Sequence, residues 1–301
     1  MALALVLAAC NGDRRATEET VDGPERPAAE RERPVALVTG STRGLGEEVA
    51  RRLGATGHHV IVHGRNEERG AAVVEAIVAE GGSAEFRRAD FLELDQVREL
   101  AEGIRADFDR LDLLVNNAGI GSAEGDEALT VDGIEPVFQV NYLSHFLLSR
   151  ELLPLLEAAS PSRIVNVASG AQAPIDFDDV MLEDWEPGDE EIGRPYAQSK
   201  LAQILHAKDA APELEELGVT INALHPATYM DTYMVRRAGI EPETTVDEGA
   251  DAVMQLVTGD VGTGRYFRDG EPAEAHEQSR DAEARERLRE LSLEWIKADE
   301  D

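Results

Sequence analysis

An α/β fold with one doubly wound parallel sheet is what this chain predicts, and two observations predict it. From Pro34 onward, short apolar runs rich in β-branched residues alternate with amphipathic stretches of helical period. The chain is also long and apolar enough, at 301 residues and 42% apolar, to bury one large core. Strand–helix alternation of this length makes βαβ units, which pack as a parallel sheet between two layers of helices in a single three-layer α/β/α domain.

Taken in order, residues 1–33 stand outside that pattern. Met1 to Cys10 reads Met-Ala-Leu-Ala-Leu-Val-Leu-Ala-Ala-Cys, similar to a lipoprotein signal but without a preceding Lys or Arg, and too short to span a bilayer. Residues 11–33 carry no apolar period and read as a disordered tail. A cytoplasmic protein is the expectation, with lipid anchoring through Cys10 as the alternative. Cys10 is the only cysteine, so no internal disulfide can form.

The main domain is expected over 34–270. Val35–Thr39, Val60–His63, Ala84–Ala89, Leu111–Asn116, Arg163–Ala168 and Val219–Leu224 read as buried strands. Helices are expected near 45–55, 67–80, 94–108, 133–157 and 197–217. Two long excursions, 170–194 and 226–247, follow strand C-termini, where ligands bind in such sheets. Over 271–301 an acidic amphipathic helix carries Leu288, Leu291, Trp295 and Ile296, with packing on the domain as one role and oligomer contact as another.

Charge is the compositional outlier. There are 61 acidic against 29 basic residues, a net charge of −32, and only three Lys among the basic ones. Periodic apolar segments exclude a disordered acidic chain, so the expectation is a folded protein with a halophile-like acidic surface. Such a surface repels phosphate backbones, and no nucleic-acid partner is expected. No metal site is expected either.

Thr39-Gly40-Ser41-Thr42-Arg43-Gly44-Leu45-Gly46 lies between the first strand and first helix. Glycines there let the backbone approach a pyrophosphate at a helix N-terminus, though such a loop can also serve only as a turn. At the second strand's end, where an NAD-binding carboxylate would sit, the chain reads Val62-His63-Gly64-Arg65-Asn66. Arg65 there and Arg43 in the loop favour a 2′-phosphate, hence NADP(H) over NAD(H). Asp90, beside Phe91, either accepts from an adenine amine or caps a turn. Asn116-Asn117-Ala118-Gly119 ends the fourth strand with small residues that allow close cofactor approach. Tyr196 and Lys200, four apart, share one helix face, and an ammonium beside a phenol would lower its pKa from about 10.

Together Thr39–Gly46, Asp90, Asn116–Gly119, Asn141, Ser169, Tyr196 and Lys200 resemble the short-chain dehydrogenase/reductase family, in its single-domain branch, with a Rossmann-type sheet. Val140–Phe146, Tyr196–Ala202 and the 27 positions from Ser169 to Tyr196 look closest to the retinol-dehydrogenase-like and protochlorophyllide-reductase-like group. The resemblance implies Tyr196 as proton donor or base, with Lys200 tuning it and binding the nicotinamide ribose. It also implies Ser169 on the substrate carbonyl and Asn141 supporting a proton path to Lys200. Cofactor contacts would come from Gly40, Ser41, Arg43, Gly44, Leu45, Gly46, Arg65, Asp90, Phe91, Asn117, Ala118, Gly119, Tyr196, Lys200, Pro226 and Thr228. The chain departs from the family's Pro-Gly after the sixth strand, reading His225-Pro226-Ala227-Thr228, and either Thr228 or Thr232 could meet the carboxamide.

The expected function is NADP(H)-dependent interconversion of a ketone or aldehyde and its alcohol. Met230, Tyr233, Met234 and Val235 point to an apolar lid and a neutral or apolar substrate. Asp176, Asp178, Asp179, Glu183 and Asp184 make an acidic rim or belong to the general acidic coat. The alternatives are an olefin reductase of the same fold and a non-catalytic dinucleotide sensor. A homo-oligomer is an open expectation, and membrane contact is expected only if Cys10 is lipidated.

Overall fold

Residues Val35–Val38 form β1, and all four are buried, as expected of a strand covered on both faces. In the computed structural model, which describes residues 32–121, 129–183 and 193–297, β1 is the third strand of an eight-stranded sheet. The others are β2 (His59–Gly64), β3 (Ser83–Arg88), β4 (Leu113–Asn116), β5 (Ser162–Val167), β6 (Val219–His225), β7 (Tyr266–Arg268) and β8 (Glu271–Pro272). Their order is β3-β2-β1-β4-β5-β6-β7-β8, with every pair parallel except β7–β8. β1 pairs with β2 on one side (Val35 opposite His59) and β4 on the other (Ala36 opposite Leu113). The chain therefore reverses direction of winding between β1 and β4, and the loops leaving these two strands open a crevice at their carboxyl ends.

Alternate strand residues feed two cores. Val38, Val60, Val62 and Val115 pack with α1 (Gly44–Ala55), α2 (Glu67–Ala79) and, from further along the chain, a helix at Val246–Thr258. Leu37, Ile61, Leu114 and Ile164 face the other side. There they meet α3 (Leu94–Asp107), an interrupted helix spanning 136–158, the long helix Arg194–Glu216 and the final helix Ala282–Trp295.

The helix expected over 133–157 is broken into pieces: α4 (Pro136–Phe138), a π-helical turn (Gln139–Leu143), α5 (Ser144–Glu151) and α6 (Leu153–Ala158). Each end has a physical cause. Pro136 and Pro154 stand in first turns, where the missing N–H is harmless. Glu135 caps the first piece by accepting from Val137 N and Phe138 N. The π turn widens the helix by one residue where Asn141 sits.

Next come α7 (Arg194–Glu216), α8 (Tyr233–Arg237), α9 (Val246–Thr258) and α10 (Ala282–Trp295). The sequence reading omitted α8, α9, β7 and β8. The start of α9 carries a legible signal, a capping box between Thr245 and Glu248 followed by buried Val253, Leu256 and Val257. Arg52 of α1 then ties to α9 through Asp247 and Asp251 at 2.8 and 2.5 Å.

The described residues from Arg33 onward form one compact unit. α10 packs on the domain: Leu288 is buried, Tyr142 Oη and Ser292 Oγ lie 2.8 Å apart, and Trp295 meets Phe138 edge-on at 6.0 Å. Residues 1–31, with Cys10, and Asp184 of the expected acidic rim lie outside the described residues. Among the described residues no helix is long and apolar enough to cross a membrane.

Candidate active site

The crevice between β1 and β4 is built on one hydroxyl. Thr39 Oγ1 accepts from Asn117 N and Ala118 N, both at 2.9 Å, while Asn117 Nδ2 donates to Thr39 O at 2.8 Å and Gly40 O at 3.2 Å. The first and fourth strand loops are thereby locked together. With two donors already on its oxygen, Thr39 sends its own hydrogen to His145 Nε2 at 2.8 Å in preference to Val115 O at 3.3 Å. That leaves the Nδ1–H of His145 to donate to Asn141 O at 2.9 Å. His145 is neutral, its pKa pushed by burial down to about 3. The sequence reading did not use this histidine, although its i+4 spacing from Asn141 was visible.

The glycine loop fits a dinucleotide pyrophosphate. Gly40 and Gly44 adopt φ of +64° and +60°, a region costly for other residues. A Cβ on Gly46 would lie 2.4 Å from Asn117 Nδ2 and 2.5 Å from Gly40 O. No side chain caps the N-terminus of α1, so its first N–H groups are oriented for an anion. Gly46→Ala is expected to weaken dinucleotide binding by at least about tenfold, because the methyl group must displace backbone. Fluorescence titration with NADPH measures this, and wild-type affinity in a folded variant would contradict the assignment.

The expected cofactor contacts fall into separate places. Ser41 is buried and braced, donating to Val38 O at 2.7 Å and accepting from His63 N at 3.0 Å. Leu45 belongs to the core. The Phe91 ring is also core, stacked on His63 at 4.5 Å, so it is not available as a cofactor platform. Asp90 does cap a turn, accepting from Leu92 N at 3.1 Å, and it also faces Arg65 Nη1 at 3.6 Å. Arg43 lies over the Tyr233 ring, 4.1 Å from its centroid. Gly119 runs beside the chemistry: a Cβ there would be 3.2 Å from Asn141 Oδ1 and 3.6 Å from Lys200 Nζ. Beyond Pro226, Thr228 Oγ1 pairs with His225 Nε2 at 3.0 Å, whereas Thr232 Cγ2 would lie 3.6 Å from a Cβ on Gly44. Of the two threonines, Thr232 is the one against the glycine loop.

The four candidate catalytic residues converge at the other end. Asn141 is fully buried in the π turn, donating to Ser199 Oγ at 2.9 Å and Ile120 O at 3.1 Å and accepting from Ile120 N at 2.8 Å. Ser199 Oγ in turn donates to Tyr196 O at 2.8 Å. The Ser169 hydroxyl lies close enough to the Tyr196 phenol to lower its pKa. Lys200 Nζ donates to Val167 O at 2.8 Å and Gln203 Oε1 at 3.0 Å, and lies 5.5 Å from the Tyr196 ring centroid.

The electrostatics differ from the simple pair expected. Burial raises the Tyr196 pKa, and the nearby Ser169 hydroxyl offsets part of that rise. Lys200 is itself depressed to about 7 by burial. Its ammonium is directed at a carbonyl and an amide oxygen rather than at the phenol oxygen, so desolvation outweighs its attraction for a phenolate.

Ser169 has supports that only the fold brings near. Its carbonyl accepts from Tyr266 Oη of β7 at 3.0 Å and from Gln172 Nε2 at 3.1 Å. Gln172 Oε1 takes His276 N at 2.7 Å, and Gln278 clamps both backbone groups of Ile175 at 2.7 and 2.9 Å. The segment before α10 thus straps the loop after β5. Over the crevice, α8 brings Met234 to Gly121, while Met230 turns into the core beside Leu45.

Comparison with known proteins agrees with this geometry. The short chain dehydrogenase family model matches residues 34–175. Human retinol dehydrogenase 12 is 30% identical over 278 residues, covering 87% of this chain and 86% of that protein. The chain belongs to the short-chain dehydrogenase family. Its relatives place it in the retinol-dehydrogenase-like group of that family. Human retinol dehydrogenase 13 is 37% identical over 212 residues, 69% of this chain, and the chain spans 62% of that protein's length.

Two solved structures extend the likeness. A protein of Mycobacterium paratuberculosis shares 28% identity at a TM-score of 0.73, covering 88% of this chain and 94% of that one. A metagenomic short-chain oxidoreductase in complex with NADP shares 29% identity at a TM-score of 0.61, covering 78% of this chain and 96% of that one.

Proposed function

We propose that this short-chain dehydrogenase interconverts a neutral, apolar ketone or aldehyde with its alcohol, using NADP(H) in preference to NAD(H). The observation that carries the reading is the convergence of Lys200, 5.5 Å from the Tyr196 ring, with Asn141 tied to the same helix through Ser199 and Gly119 beside both. The bound dinucleotide supplies the hydride in reduction and accepts it in oxidation.

Everything else falls to the chain. Ser169 Oγ donates to the substrate carbonyl oxygen and steadies the negative charge that develops there. Tyr196 Oη, kept protonated by burial, gives its proton to that oxygen in reduction and takes it back in oxidation. Lys200 titrates near neutral pH, so it can replace that proton without a large energetic step. Asn141 holds Ser199 and the Ile120 backbone, fixing the turn of α7 that carries both groups.

Arg43 and Arg65 support the phosphorylated cofactor, as does the NADP complex of the metagenomic relative. Met234 at Gly121 and the half-exposed Tyr233 support an apolar substrate, in keeping with relatives named for retinol, an apolar alcohol. The test is NADPH oxidation against a panel of neutral ketones and aldehydes, with the reverse reaction on their alcohols. Tyr196→Phe should lose turnover on every substrate the wild type reduces. Equal turnover in the variant would overturn the mechanism.

A further inference from the structure

Three consecutive residues at the start of α8 touch the two loops that define the dinucleotide crevice. Thr232 Cγ2 lies against Gly44, Tyr233 lies under Arg43, and Met234 lies against Gly121 at the end of β4. Segment 232–234 therefore bridges the glycine loop and the fourth-strand loop. The middle contact is chemically distinct, since it pairs a lid residue with the cation that would meet a 2′-phosphate.

We propose that Tyr233 is a positioning residue for cofactor choice: its ring holds the Arg43 guanidinium ready for the 2′-phosphate, so that lid and phosphate are recognised together. The inference rests on the reading of Arg43 as a 2′-phosphate anchor. Stacking and phosphate binding use different parts of the guanidinium. The guanidinium carbon lies over the Tyr233 ring, 4.1 Å from its centroid, and the group carries five N–H donors with which to meet an anion. One contact therefore does not displace the other.

Arg43 is exposed, and a free arginine side chain loses much rotamer entropy when it clamps an anion. A ring that already restricts it removes part of that loss before the dinucleotide arrives. The lid is equally a beneficiary. Thr232 caps α8 by accepting from Val235 N, and the Asp231–Arg236 ion pair closes the same short helix, so Tyr233 projects from a fixed turn. A phosphate that fixes Arg43 fixes Tyr233, and with it Met234 over the crevice. By linkage, substrate should bind better beside NADPH than beside NADH.

The experiment measures dissociation constants for NADPH and NADH, and substrate KM with each, in wild type, Arg43→Leu, Tyr233→Phe and Tyr233→Leu. The Tyr233 ring is half exposed, so all four proteins should fold. Arg43→Leu is expected to abolish the discrimination. Tyr233→Leu should weaken NADPH roughly 2- to 5-fold, the worth of an exposed cation–π contact, and leave NADH unchanged. The KM advantage with NADPH should shrink in step, and Tyr233→Phe, which keeps the ring, should behave as wild type.

If Arg43→Leu loses discrimination but Tyr233→Leu keeps it, the positioning role is overturned and the NADP(H) reading stands. Equal weakening of both dinucleotides in Tyr233→Leu makes the ring general lid support and also overturns the proposal. A Tyr233→Phe variant as weak as Tyr233→Leu does the same. If the wild type does not discriminate, or Arg43→Leu still does, the reading of Arg43 fails and this inference falls with it.

Discussion

Lys200→Met should melt at a higher temperature than the wild type at pH 6 and turn over at least about 100-fold more slowly, the lower end of what a positioned acid–base group contributes. The stability half of this expectation follows from burial. Lys200 is 3% exposed, and its pKa falls from 10.5 to about 7 because the fold withdraws the ammonium from water. A depressed group stabilises fully only above its unfolded pKa, and that contribution is lost as pH falls through its folded pKa. Here the window runs from 10.5 down to about 7, so at pH 6 the native state carries the whole cost. At about 1.4 kcal/mol per pKa unit, that cost is on the order of 4–5 kcal/mol.

Methionine has similar length and no charge, but it leaves Val167 O and Gln203 Oε1 without their donor, at about 1–3 kcal/mol each. With those losses at the low end, about 2 kcal/mol in all, the net gain is about 2–3 kcal/mol, or roughly 4–6 °C in melting temperature for a protein of this size. It should shrink steadily between pH 7 and pH 10, where the wild-type lysine is already neutral when folded. Calorimetry at pH 6 and pH 9, alongside NADPH turnover, checks both halves. A lower melting temperature at pH 6 would refute the energetic account, and retained turnover would refute the catalytic one.

This trade between stability and chemistry explains which parts of the site could be read in advance. Tyr196 and Lys200 sit on one helical turn, so their pairing follows from the i, i+4 rule alone. The glycine loop and Asn116–Gly119 each follow a strand, and their meeting at the crevice follows from the winding of a parallel sheet. The supports of Ser169 were not legible, because Tyr266, His276 and Gln278 come from about 100 residues further along and meet it only through the sheet order. β7 has only three residues and β8 two, too few to show a period of two. The π turn escaped for another reason: apolar spacing over 133–157 fits a continuous helix, and the widening at Gln139–Leu143 is settled by what Asn141 and His145 must reach. The direction of the Tyr196 shift also depended on burial, which no spacing reveals.

Acid should unfold this protein cooperatively as pH falls from 6.5 toward 4, even though its charge alone argues the other way. With 61 acidic residues and a net charge of −32, protonation on the way down relieves self-repulsion, which by itself would raise stability. Three buried histidines oppose that trend. His63 accepts from Gly40 N and stacks on Phe91, His145 bridges Thr39 and Asn141, and His206 lies edge-on between Tyr142 and Phe146.

Burial depresses their pKa values from 6.5 to about 4, about 3 and about 4. Each holds its stabilising contribution above 6.5 and loses it as pH falls through its folded value, because the unfolded chain takes up protons that the native state refuses. Shifts of this size are worth on the order of 3–5 kcal/mol each at full protonation, and their sum is comparable to the whole stability of a domain. The relief of repulsion among exposed, salt-screened carboxylates is spread thinly over the surface, so the histidines should win. Melting temperatures by circular dichroism should fall steadily from pH 6.5 to pH 4.5. His206→Phe, which keeps an aromatic between Tyr142 and Phe146, should move the acid midpoint several tenths of a pH unit lower, roughly one proton's worth of linkage. A stability profile that is flat or rising toward acid, or an unchanged midpoint in His206→Phe, would place the control of acid stability in the carboxylates instead.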